Sequence, residues 1–76
     1  MPRLPTVCAR DAIRAFSAAG FVHVRTSGSH VYMKKEGHVT PVVIPSHAGT
    51  DLKPGLLRSQ IRNAGLTVEQ FLEFLK

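Results

Sequence analysis

The apolar residues of this chain change their spacing twice, and those two changes leave few ways to fold it. Ala9, Ala12, Ile13, Phe16 and Ala19 recur at the interval of one helical face, and Gly20 follows where a left-handed C-cap is wanted. Cys8 stands three residues before Asp11, in the place where a capping box carries a hydroxyl, and Thr6 is the competing start. From Phe21 the interval becomes two. Phe21-Val22-His23-Val24-Arg25-Thr26 alternates, and Ser27-Gly28 marks a tight return. His30-Val31-Tyr32-Met33-Lys34-Lys35 alternates again, and Glu36-Gly37-His38 is a second turn. Val39-Thr40-Pro41-Val42-Val43-Ile44 reads as a third strand, whose Pro41 lacks a donor and so belongs at an edge or a bulge. Two short returns between alternating runs predict an antiparallel meander.

The helical interval then resumes. After the loop from Pro45 to Leu52, Lys53-Pro54-Gly55 opens a helix with proline near its first turn. Leu57, Ile61 and Ala64 share one face of it, Arg58 and Arg62 another, and Gly65 ends it. Thr67, with Gln70 three residues on, caps a last short helix bearing Val68, Phe71, Leu72 and Leu75. The expected fold is therefore α+β in the order α-β-β-β-α-α. Its three-stranded antiparallel sheet has helices on one face and is partly open on the other. Seventy-six residues support one core, so residues 1–76 are expected to form a single domain. No apolar run approaches the roughly 18 residues of a membrane span, and no signal-peptide layout is present. A soluble, cytoplasmic protein without membrane partners is the expectation.

The second strand carries the most chemistry. If Val31 and Met33 face the helices, then His30, Tyr32 and Lys34 line the wetter face. A proton-carrying imidazole, an aromatic ring and an ammonium in one row suit a ribonucleotide; the competing reading is a strand-end surface histidine beside a cross-strand packing ring. Gly28 and Ser29 precede His30 with little bulk to fence it off. His47, beside Ser46 in the loop before the basic helix, can meet a phosphate, assist His30, or simply bond its own backbone. His23 should share a face with Phe21 and Arg25, and His38 occupies a turn; both read as surface residues. The histidines are 7, 8 and 9 residues apart, without compact ligand spacing, and Cys8 is the one cysteine. Neither a metal site nor a cofactor is expected.

Charge narrows the partners. Ten Lys and Arg against five Asp and Glu leave a net +5, which draws phosphate polyanions to so small a body. Lys53, Arg58 and Arg62 form the clearest electropositive patch, near a helix start whose free amides also favour anions. The two C-terminal helices, joined through Ala64-Gly65-Leu66-Thr67, also read as a helix-turn-helix for DNA. Against this, the second of them offers Glu69 and Glu73 outward and no arginine. An RNA-binding module without catalysis fits the same charge and the same Tyr32.

The string Gly28-Ser29-His30-Val31-Tyr32, after Gly20-Phe21 and a strand with Arg25, resembles the HicA family of toxin ribonucleases. The likeness continues through Pro45-Ser46-His47, Leu52-Lys53-Pro54-Gly55, Leu57-Arg58 and Ala64-Gly65-Leu66-Thr67, from about Cys8 to Phe71. Cys8 departs from the hydroxyl expected at the first cap, which concerns helix entry and not chemistry. The resemblance implies a double-stranded-RNA-binding-domain-like fold and a toxin that cleaves mRNA, most simply single-stranded RNA, and blocks translation. It implies a HicB-type antitoxin that covers the active face, and chemistry that works without a metal. It maps the catalytic histidine onto His30, places Gly28 in the same motif, and gives His47 a supporting role.

Overall fold

The computed structural model of the protein describes residues 3–46 and 51–76. Its elements are α1 (Ala9–Ala18), β1 (Val22–Ser27), β2 (His30–Lys34), β3 (Val42–Pro45), α2 (Pro54–Asn63) and α3 (Val68–Leu75). That is the succession the changes of period predict.

Helix entries and exits follow local chemistry. α1 starts without a side-chain cap: the Cys8 thiol caps nothing, and Asp11 adds only its charge near the positive end of the helix dipole. α1 stops in a Schellman arrangement. The Phe21 N–H donates to Phe16 O and the Gly20 N–H to Ser17 O, both at 3.0 Å, with Gly20 at φ +105°. The accompanying apolar contact is Phe16 against the edge of Phe21, ring centroids 6.1 Å apart. α2 opens on Pro54 and ends the same way, Leu66 N–H to Ile61 O and Gly65 N–H to Arg62 O, with Gly65 at φ +74°. α3 has the full capping box: Gln70 N–H donates to Thr67 Oγ1 at 3.1 Å, and Thr67 N–H to Gln70 Oε1 at 2.9 Å.

A Cβ at Gly65 would meet the His38 ring at 3.2 Å as well as a left-handed backbone. Gly65→Ala is therefore expected to lower stability by about 1–2 kcal/mol, read as a lower urea midpoint at unchanged slope. An unmoved midpoint would show that this helix stop carries no strain.

The strands form one antiparallel sheet in the order β1-β2-β3. β3 is shorter than the alternation suggests. It begins at Val42 rather than Val39, because Pro41 offers no ladder N–H, and Val39 is 95% exposed. The free side of β3 is closed by α2, whose Gln60 Oε1 accepts the Val43 N–H at 2.9 Å. α1 and α2 pack against β3, the inward side chains of β2 join the same core, and none of the six residues of β1 is buried. Beneath the helices, Phe16, Met33, Val42, Ile44, Leu57, Ile61 and Phe71 are sealed from solvent as one core. α3 reaches that core through Phe71, whose ring lies 5.1 Å from Phe16.

Candidate nucleic-acid interface

Register sorts the residues of β2 cleanly. Val31 pairs with Ile44 and Met33 with Val42, all four buried against the helices. His30, Tyr32 and Lys34 therefore stand on the opposite, open face, with His30 and Lys34 exposed and Tyr32 half-buried. Three cross-strand rows result: Val22 beside Lys34, Arg25-Tyr32-Val43, and Ser27-His30-Pro45. The last row lies at the rim of the sheet. There Gly28 and Ser29 alone connect the paired residues Ser27 and His30. Gly28 has φ +59° and Ser29 no positive φ, the requirement of a II′ hairpin turn. A Cβ placed on Gly28 would touch nothing within 4 Å, so the approach to the turn is open. The Ser29 carbonyl accepts the Ser46 N–H, tying the rim to the residue after β3.

Arg25 also belongs to this face, which regular alternation does not foretell. His23 pairs with Met33, but Arg25 pairs with Tyr32, so Val24 is an extra residue on β1 and makes a β-bulge. The bulge reverses the parity of the strand. His23 keeps the face of Phe21, while Arg25 crosses to the open side, contrary to the expectation that all three share a face. Its guanidinium carbon lies over the Tyr32 ring, 4.4 Å from the centroid, a cation–π contact.

The remaining histidines separate from the row. His23 is exposed, with Nε2 2.8 Å from Thr26 Oγ1. His38 is more than a surface turn residue. It is half-buried, its Nε2 lies 2.6 Å from the Asn63 carbonyl, and it meets the Phe21 ring edge-on at 5.6 Å. A carbonyl only accepts, so Nε2 carries the proton and donates. His38 thus fastens the turn before β3 to the end of α2. His47 lies outside the described residues.

The expected cations do not form one cluster. Lys34 is on the open face, and Lys53 is the exposed N-cap position of α2. Arg58 and Arg62, both exposed, line an open groove of about 400 Å³ with Ile61, Gly65, Leu66 and Val68. That groove lies between α2 and α3 and shares no lining residue with the sheet face. Among the described residues, no three His, Cys, Asp or Glu side chains gather where they could hold a metal ion, and no helix is long and apolar enough to cross a membrane.

An α-β-β-β-α-α chain with one sheet face under helices and the other bearing histidine, tyrosine and cations is an α+β protein of the double-stranded-RNA-binding-domain-like class. The model of the HicA toxin family of bacterial toxin–antitoxin systems matches residues 9–66, three-quarters of the chain. The chain belongs to that family. It is a toxin of a toxin–antitoxin pair, in a family that generally acts as ribonucleases on RNA. No curated protein matches the chain.

Proposed function

We propose that this toxin is a metal-independent endoribonuclease of mRNA that acts in the cytoplasm through His30, as a single domain. A HicB-type antitoxin silences it by covering the open sheet face. The observation that carries the reading is the exposed imidazole of His30 at the rim of that face, one row from Arg25 and Tyr32. RNA contains its own nucleophile. The ribose 2′-oxygen attacks the adjacent phosphorus, the bond to the 5′-oxygen breaks, and a 2′,3′-cyclic phosphate and a 5′-hydroxyl result. His30 either takes the 2′-hydroxyl proton or delivers one to the departing 5′-oxygen. His47, Tyr32 or a water performs the other transfer. Gly28 and Ser29 keep the rim narrow enough for a backbone to approach.

Lys34 holds a flanking phosphate on the same face, and Lys34 or Lys53 stabilises the charge that builds on the phosphorane. Arg58 and Arg62 attract the strand from the α2–α3 groove. The DNA alternative is weaker because Glu69 and Glu73 are exposed on α3 and Phe71 is held in the core. A carboxylate-bearing helix anchored this way meets a duplex with like charge.

The test is cleavage of a single-stranded RNA in excess chelator, beside the same strand with one 2′-deoxyribose at the mapped cut. The expected outcome is cutting of the RNA, a cyclic phosphate end, and full resistance at the deoxy position. Cutting at the deoxy position overturns the mechanism, and binding without cutting leaves a non-catalytic RNA-binding module.

A further inference from the structure

Among the described residues Tyr32 is the one phenol or phenyl ring of the open face, beside the His30 imidazole, yet it is not free to receive a base. The guanidinium of Arg25 lies over the ring, Val43 is its register neighbour on the other side, and the ring is half-buried. Arg25 itself is exposed, and among the described residues it makes no hydrogen bond or ion pair; the ring is its one recorded side-chain partner. A bulged strand therefore brings a cation across to the open face and sets it over an aromatic ring, with no other side-chain partner among the described residues.

We infer that Arg25 is the nucleobase-stacking surface of this face, and that Tyr32 is the support that holds its guanidinium in place. The inference rests on the ribonuclease reading for its substrate class, RNA. A guanidinium is planar and weakly hydrated, so its free side accepts a base, as arginine planes do in single-strand recognition. An ammonium has the charge but no plane. Arg25 and Tyr32 are one row from His30, which is two residues along β2, or about 7 Å. A base on Arg25 therefore belongs to a nucleotide next to the phosphodiester at His30. Lys34, one row beyond, serves as a point charge for a phosphate.

Stacking and charge can be told apart by keeping one and removing the other. The full chain with His30→Ala, so that the strand survives, is titrated with labelled single-stranded oligoadenylate and with an abasic ribose-phosphate strand of equal length. The parent should bind the base-bearing strand roughly tenfold more tightly, the scale of one base stacked on a side chain. Arg25→Lys should lose most of that preference while its affinity for the abasic strand stays within about twofold. Tyr32→Ala should do the same by unseating the arginine, and Tyr32→Phe should not. Thermal melts check that each variant is folded; Arg25, His30 and Tyr32 all lie outside the buried core, so all should be. Retention of the full preference by Arg25→Lys, or a parent without any preference, overturns the inference. The ribonuclease reading is judged separately, by whether the unsubstituted protein cuts RNA. A protein that cuts while Arg25→Lys keeps the preference loses this inference alone, and one that neither binds these strands nor cuts RNA loses both.

Discussion

His30→Ala is expected to lower the rate of RNA cleavage by about 10²- to 10⁴-fold, the usual contribution of a positioned general acid or base, and to leave the melting temperature nearly unchanged. The two expectations have separate causes. The imidazole is exposed at the end of β2, its register neighbours Ser27 and Pro45 are not core residues, and no buried side chain depends on it. Surface substitutions of that kind usually stay within about 0.5 kcal/mol. RNA affinity should fall little, because the cations that hold phosphate remain. Single-turnover cleavage with enzyme in excess, alongside a melt of the same sample, reads both quantities. Undiminished cleavage by a folded His30→Ala protein removes His30 from the chemistry. Lost cleavage together with a lost melting transition would place the residue in the fold.

How much of this was legible in the sequence depends on how local each signal is. The helix stops at Gly20 and Gly65 and the Thr67–Gln70 box involve residues a few positions apart, and each forms as its residue types require. The open-face row of His30, Tyr32 and Lys34 follows from the period of β2 alone, because that strand is regular. Arg25 was hidden because one extra residue, Val24, inverts every later position of β1, and nothing in an alternating string marks where a bulge falls. His38 was hidden for another reason. Its partner, the Asn63 carbonyl, is 25 residues away, and only the packed helix brings it within 2.6 Å. The early end of β3 was half legible: Pro41 signalled an interruption but not which side of it would stay in the sheet. Arg58 and Arg62 share a helix face as expected. Their separation from the sheet row depends on how α2 packs, which charge and spacing do not encode.

Phe16→Ala is expected to have the largest effect on the fold. Its ring is fully sealed, lies edge-on to Phe21 at 6.1 Å and 5.1 Å from Phe71, and so joins α1, the entry to β1, and α3. Removing it loses the transfer free energy of the ring and leaves a cavity that three separate elements cannot easily close, a cost of about 3–5 kcal/mol. A chain of this length is stable by only about 4–11 kcal/mol. The variant therefore gives up about a quarter or more of its margin, and the melting temperature should fall by on the order of 20 °C. Phe16→Leu keeps most of the volume and should cost less than half as much. Because the open face takes no residue from this core, cold Phe16→Ala protein that is still folded should cut RNA at close to the parent rate. Activity should then disappear along the unfolding curve, not ahead of it. A melting temperature within a few degrees of the parent would mean that the three aromatic rings do not bind these elements together. Activity lost while the protein remains folded would mean that the core positions the His30 rim more directly than the separation of the two sheet faces allows.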